Sequence, residues 1–375
     1  MKILLVSEYF PYGKDLRFSG GVEARTFFIA KHLAKKHKVY ILTSRVAKAK
    51  AKEKMHNFEV IRVGPVRHYN PTVGSIFSRI MFVKDAIKVG RSLEVDVIDG
   101  SNVITHYIAR SIAQKNRLPY VLWYPDVWLG KWIKNAGFWG IFGEIVERLN
   151  LTSAADAYIA ISKETAKKLS KHVSKKINII PCGVDRAEFL KPVKKFNTPT
   201  IITISRLAKY KNLKTLILAF AHLNTKIKDS RLIIVGEGPQ FKSLKNLATA
   251  LRLSSKITFF SNLPRRQLIE LIKKSHIFSL PSLVEGFGIV TIEASVAGLP
   301  YVNSNIPIQR EITNDGEGGF LVNPHDPYTF SKNFLKLFND HSTYKKKSFE
   351  STKMATKYSW ASVSKQTEQV YKNLI

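Results

Sequence analysis

The chain is poor in cysteine, and what it lacks narrows its class. A single cysteine, Cys182, stands among 375 residues, so no disulfide can form within the chain, as suits a reducing compartment. No run of about 18 apolar residues occurs, so no transmembrane helix is expected. The opening MKILLVSEYF has no long apolar core or small-residue cleavage site and reads as a first strand rather than a secretory leader. There is no Asp-x-Asp pair and no Cys/His cluster at ligand spacing, so neither a metal nor another cofactor is expected. No G-x-G-x-x-G follows the first strand, which argues against a dinucleotide dehydrogenase. Acid is scarce as well: 28 Asp and Glu face 60 Lys and Arg, a net charge of +32.

Such a surface attracts polyanions, including nucleic acid, anionic lipid and phosphorylated ligands. The excess divides evenly on either side of residue 190. A diffuse excess without a nucleic-acid motif weighs against a dedicated nucleic-acid module, and no nucleic-acid partner is expected.

With 45% hydrophobic residues the chain can bury real cores, and its length suits two domains. Short β-branched runs alternate with helical patterns throughout: KILLVSEY, VYILTS, FEVIRV, VDVIDG, YVLWYPD, AYIAIS and INIIPCG, then TIITIS, RLIIVG, KITFFS, HIFSLPS, PYVNSN and GFLVN. Many are apolar on both faces, as buried parallel strands are. The pattern restarts near residue 200, after the proline-bearing, basic stretch 190–200. Two Rossmann-like, doubly wound α/β domains are expected, 1–190 and 200–357, facing a cleft, with ligands at the strands' carboxyl ends. The basic, low-complexity stretch 45–54 reads as a solvated loop or helix end, or as an anion contact.

The stretch EGFGIVTIE (285–293) brings two of the scarce carboxylates together. It follows a strand and opens a helix whose first amides would face an anion. Gly286 and Gly288 let backbone approach a ligand closely. Glu285 and Glu293 accept hydrogen bonds only, which suits sugar hydroxyls, though a glutamate capping a helix is the plainer alternative. Arg206 and Lys211 in ISRLAKYKN follow another strand, where a diphosphate would need cations. Gly20 and Gly21 precede a helix near Val22 and form either a phosphate loop or a simple turn. Gly236 in VGEGPQ lines a base pocket or makes a turn.

These segments together resemble the GT-B fold, retaining glycosyltransferases of family 4 (glycosyltransferase group 1). The likeness runs through SGGVEARTFFIAKHLAKKHKVYILTS, ADAYIAIS, IIPCGVD, ISRLAKYKNLKTLILAF, IVGEGP, SLPSLVEGFGIVTIEASVAGLPYVNSN, IQREI and YSWASVSKQTEQVY. The resemblance implies that Glu285 contacts the donor sugar and Glu293 the ribose, and that Arg206 and Lys211 hold the diphosphate. It implies phosphate contacts at Gly20 and Gly21, and donor contacts from the backbone of Gly286, Phe287, Gly288, Ile289 and Val290. It also implies that a last helix, about 358–375, crosses back onto the first domain. One departure stands out. Where the family often carries a His-Asp pair after a strand of the first domain, this chain has Pro125 and Asp126, so Asp126 alone remains of the catalytic pair. His106 is either a replacement or a structural residue. A nucleotide-sugar epimerase on the same fold would need an acid/base pair that is not evident.

The acceptor, a glycan or a lipid-linked molecule, is expected on the first domain. Four of the five tryptophans, Trp123, Trp128, Trp132 and Trp139, fall within 123–142. Tryptophan among basic residues suits a bilayer interface, a sugar platform or a polyisoprenoid groove, or ordinary packing. The stretch 75–93 is amphipathic with Arg79, Lys84, Lys88 and Arg91 on its polar side, and suits anionic lipid or, again, packing. A cytoplasmic enzyme, peripheral on the cytosolic membrane face, is expected.

Overall fold

The computed structural model describes all residues except 14, 15, 17, 19, 68–75, 134–139 and 153. Trp139, Ser75 and part of the loop before Gly20 therefore lie outside the described residues. The chain forms two compact units, Met1–Gly183 with Trp360–Ile375, and Val184–Ser359. The second unit begins at Val184, ahead of the 190–200 stretch. That stretch is fastened to the second unit by Lys195 Nζ on the Ser275 carbonyl, 2.6 Å, and by the Phe196 amide on the Lys274 carbonyl, 2.9 Å.

The first unit is built on one sheet. Its strands are β1 (Lys2–Val6), β2 (Lys38–Val46), β3 (Lys52–Met55), β4 (Phe58–Arg67), β5 (Val97–Gly100), β6 (Tyr120–Tyr124), β7 (Ala157–Ala160) and β8 (Ile177–Ile179). Their order is β3-β4-β2-β1-β5-β6-β7-β8, parallel except where β3 runs against β4. Its helices are α1 (Gly21–Leu33), α2 (Ile76–Arg91), α3 (Val103–Asn116), α4 (Gly140–Thr152), α5 (Lys163–Leu169) and, from the chain's end, α13 (Trp360–Lys372). Crossovers between parallel strands are right-handed. Winding outward from β1 in both directions thus sends α1 to one face and α2, α3 and α4 to the other. In agreement, α1 packs on α13, while α2 packs on α3 and α3 on α4.

The stretch 45–54 is a solvated loop only over 47–51 and holds no helix end. β2 runs on to Val46, and Lys52–Met55 is an edge strand returning along β4. The hairpin turns through His56 and Asn57, both at positive φ (43° and 70°), as a two-residue loop between twisted strands requires. Lys52 and Lys54 point outward, while Glu53 reaches the buried Arg62 at 2.5 Å. Lysine on an edge strand blocks pairing with another chain.

The second unit is a wholly parallel sheet: β9 (Thr200–Ile204), β10 (Arg231–Val235), β11 (Ile257–Phe260), β12 (Ile277–Leu280), β13 (Tyr301–Ser304) and β14 (Gly319–Val322), in the order β11-β10-β9-β12-β13-β14. Its helices are α6 (Leu213–Lys226), α7 (Phe241–Ala250), α8 (Arg265–Lys274), α9 (Ile289–Val296), α10 (Pro307–Ile312), α11 (Pro327–Asn339) and α12 (His341–Ala355). Its core is aliphatic and aromatic, with Leu216, Phe220, Ile234, Ile277 and Phe334 wholly buried.

A buried ionic cluster ties α13 into the first unit. Arg25 of α1 grips Asp99 of β5 with both terminal nitrogens, at 2.9 and 3.3 Å. The Tyr371 hydroxyl donates to the same carboxylate at 2.5 Å. Trp360 stacks on Phe28, ring centroids 5.2 Å apart. Burial pushes the Tyr371 hydroxyl's pKa up, so the tyrosine stays a donor. Removing one partner of such a pair strands the other charge away from water. Asp99→Ala is expected to lower stability by about 3–5 kcal/mol in urea unfolding, and Tyr371→Phe by much less.

Candidate functional site

In open α/β sheets, ligands bind outside the carboxyl ends of the strands where strand order reverses. In the second unit the reversal lies between β9 and β12. The loops leaving those two strands carry Arg206, Lys211, Glu285 and Gly286 to Gly288. The loops touch: the Leu283 amide donates to the Tyr210 carbonyl at 2.8 Å, and Lys211 Nζ meets Glu285 Oε1 at 2.6 Å. Ser282 Oγ donates to the same Glu285 oxygen at 2.6 Å. Asn212, in the left-handed conformation at the start of α6, gathers the loops by donating to the Pro281 and Pro324 carbonyls at 3.1 and 2.7 Å.

Four polar side chains singled out in the sequence thus divide into two states. Lys211 and Glu285 neutralise each other at the base of the loops. The side chain of Arg206, half-buried just past β9, has no hydrogen-bond or ion-pair partner among the described residues. It is an uncommitted cation on the loop that also carries Lys211. Glu293 lies in the second turn of α9, buried, and its Oε1 meets Arg265 Nη1 at 2.6 Å. Burial raises the Glu293 carboxyl above its ordinary range, and Arg265 works against that rise.

Arg265 was not evident from the motifs. Its guanidinium also holds Glu188 Oε2, through Nη2 at 2.8 Å and Nε at 3.2 Å, so one fork spans two carboxylates. A signal existed: arginine in the first turn of α8 opposes the helix dipole and needs a compensating acid.

The glycines serve different ends. Gly288 caps α9 at φ 85°, where a side chain would be strained, and a Cβ there would meet Gln309 Nε2 at 2.6 Å. The amides of Ile289 and Val290 follow at the helix start, where no earlier turn can accept from them. Phe287 turns its ring inward against Tyr358, centroids 5.8 Å apart, so only its backbone stays with the loop. Gly236 has a packing reason: a Cβ would fall 1.9 Å from the Ser205 carbonyl oxygen. VGEGPQ is thus a close crossing of the loops after β9 and β10. In the first unit the order reverses between β1 and β5, and Gly20 and Gly21 end the loop after β1. Among the described residues, a Cβ at either would meet nothing within 4 Å.

Asp126, past the end of β6, is held by Lys168 Nζ at 2.8 Å. His106 takes the structural role. It is buried, its Nε2 donates to the Trp123 carbonyl at 2.8 Å, and burial lowers its pKa to about 4. The tryptophan stretch divides too. Trp123 is wholly buried in β6, whereas Trp128 and Trp132 lie half-buried 5.3 Å apart. Glu147 of α4 holds both, accepting from the Trp128 amide at 3.0 Å and from Trp132 Nε1 at 2.5 Å. Among the described residues no three His, Cys, Asp or Glu side chains cluster as metal ligands would, and no helix is long and apolar enough to cross a membrane.

Two parallel-sheet α/β units with these loops at the reversal of the second sheet are the architecture of GT-B glycosyltransferases. A sucrose-phosphate synthase from Thermosynechococcus elongatus superposes with a TM-score of 0.86 at 20% identity, covering all of this chain and 98% of that one. The Anabaena protein HepE, solved in complex with UDP-glucose, gives a TM-score of 0.78 at 18% identity over the whole of both chains. Residues 19–188 match the family described as Glycosyltransferase Family 4, and residues 185–354 match Glycosyl transferases group 1. The chain belongs to these family 4, group 1 glycosyltransferases. An uncharacterised glycosyltransferase of Methanocaldococcus jannaschii is 24% identical across 99% of this chain and 98% of its own length. The D-inositol 3-phosphate glycosyltransferase of Corynebacterium efficiens is 29% identical over 45% of this chain, a match that spans 41% of that enzyme.

Burial raises the Glu147 carboxyl's pKa to about 7. A raised acid stabilises the fold fully below its unfolded value, and that contribution is lost as pH rises through the folded value. Between pH 5 and 8 the wild type should therefore lose stability that Glu147→Gln does not. Parallel urea titrations with equal pH slopes would refute the assignment.

Proposed function

We propose that the protein transfers a hexose from a nucleotide-diphosphate sugar to a glycan or lipid-linked acceptor, with retention at the anomeric carbon. The observation that carries the reading is Arg206: an uncommitted guanidinium at the sheet's reversal, where its own loop also carries Lys211 and the facing loop carries Glu285 and the open start of α9. A diphosphate supplies the negative charge that this place lacks. Glu285 then faces the sugar and Glu293 the ribose hydroxyls; Gly20 and Gly21 belong to a phosphate loop of the first unit. HepE's bound UDP-glucose gives the donor class its precedent.

Retention follows from a front-face path. The bond from the anomeric carbon to the diphosphate oxygen breaks, and the acceptor oxygen bonds to the same face. The acceptor's proton passes to the departing phosphate oxygen. No enzymic nucleophile is used, so Pro125 in place of a histidine leaves the path open. Arg206 and Lys211 carry the charge that develops on the leaving diphosphate, the work a metal ion does elsewhere. The enzyme acts in the cytoplasm, at the cytosolic face of the membrane when its acceptor is lipid-linked.

A ligand that binds only the folded state raises the melting temperature. One nucleoside diphosphate among UDP, GDP and ADP should do so, and CMP or a short RNA should not. Arg206→Ala should weaken that nucleotide about 10- to 100-fold, the weight of one or two charge-assisted bonds. Glu293→Ala should also weaken it. A shift with RNA alone, or full transfer activity in both variants, would sink the proposal. Arg265→Ala should raise the donor KM, with Arg265→Lys recovering only part, because lysine cannot span Glu188 and Glu293 at once.

A further inference from the structure

The helix layer α2–α3–α4 of the first unit has its polarity reversed at one end. A surface helix ordinarily hides its apolar side. In α4 the wholly buried side chains include Glu147 and Asn150, while Ile141, Ile145 and Leu149 are exposed, the last two at 52% and 46%. These three are spaced four apart and form one stripe along the outward face. At the other end of the layer, α2 exposes Phe77 at 71% and Ile80 at 58%, and continues the same face with Lys84, Lys88 and Arg91. Arg79 does not belong to that set, since it is paired with Glu8 at 3.3 Å. Between the two, α3 exposes Tyr107. Arginines lace the seams: Arg91 donates to the Ser111 carbonyl at 3.3 Å and Arg110 to the Leu149 carbonyl at 3.1 Å. Arg148 lies exposed on α4 beside the apolar stripe, with only a long 3.8 Å contact to Glu144 one turn back.

We propose that this face of α2, α3 and α4 docks on an anionic bilayer, with Ile141, Ile145, Leu149, Phe77 and Ile80 entering the headgroup layer and Lys84, Lys88, Arg91 and Arg148 meeting lipid phosphate. The inference deepens the membrane-face part of the function proposed above and rests on it, but not on the choice of donor. Charge selects the occupant. A second copy would press like-charged faces together in a chain of net charge +32, whereas an anionic surface complements them. Apolar residues interspersed with cations are the composition of a helix lying in an interface rather than crossing it. The tryptophans that suggested membrane contact in the sequence are not its main agents: Trp123 is core, and Trp128 and Trp132 are held by Glu147.

The test is flotation of the full chain with phosphatidylcholine vesicles, with and without phosphatidylglycerol, at low and high salt. Binding should require phosphatidylglycerol and fall with salt. Lys84→Gln and Lys88→Gln should each weaken it about fivefold, and Ile145→Asp with Leu149→Asp about tenfold or more. These positions are exposed, so melting temperatures and the nucleotide-induced shift should stay as in the wild type. That keeps the outcome separate from the donor reading. Equal binding to neutral vesicles, unchanged binding by the variants, or no flotation would overturn the proposal. So would light scattering showing that Ile145→Asp turns a dimer into a monomer, which would make the occupant a second copy.

Discussion

A carboxylate removed from water must find a cation or keep its proton; Glu147, held by the N–H groups of Trp128 and Trp132, takes the second course, and the pairs that follow take the first. Asp99 has Arg25, Glu8 has Arg67, Glu285 has Lys211, and Glu293 shares Arg265 with Glu188. Each pair joins elements far apart in sequence, so the pairs fix which loops meet. Where Lys211 is consumed by Glu285, the loops after β9 and β12 are locked at the sheet's reversal. With acids so scarce, most cations have no such duty. They stay unpaired, as Arg206 does, or exposed, as on α2.

The architecture was largely legible because buried parallel strands are short apolar runs, and their alternation with helical periods admits few topologies. The edge strand β3 was not, because Lys-Glu-Lys-Met has little strand propensity and is held by a hairpin turn and by Arg62 rather than by its own composition. Glu285 and Glu293 could be found from a nine-residue stretch, since strand, glycine and helix signals bracket them. Their cations could not be assigned in the same way. Arg265 precedes Glu293 by a whole β-strand and a loop, and nothing local distinguishes it from the chain's other arginines except its awkward place at a helix start. The tryptophan stretch was ambiguous for a related reason. Proximity in sequence allowed one platform or ordinary packing; Trp123 is packed in a central strand buried along its whole length, and a glutamate on a neighbouring helix claims Trp128 and Trp132.

The high positive charge likewise resolves into separate tasks once the partners are known. A sum over the chain points toward nucleic acid. Pair by pair, some cations compensate interior acids, one stands unpaired on the loop after β9, and others ride on a helix layer whose apolar residues are turned outward. Composition counts these together, and only the fold tells them apart.

The return of α13 to the first unit has a consequence for how the protein is made. The second unit occupies an unbroken stretch, and its two ends, Val184 and Ser359, are paired side by side. On the ribosome it can finish folding as soon as it emerges. The first unit, though begun earlier, stays open through that whole interval. Its buried Arg25–Asp99 pair waits for Tyr371, and Phe28 waits for Trp360. For the time needed to synthesise the second unit, the side of α1 that receives α13 is uncovered. In that window a chaperone would find an aromatic, incompletely compensated surface, and premature termination before α13 would leave it permanently so.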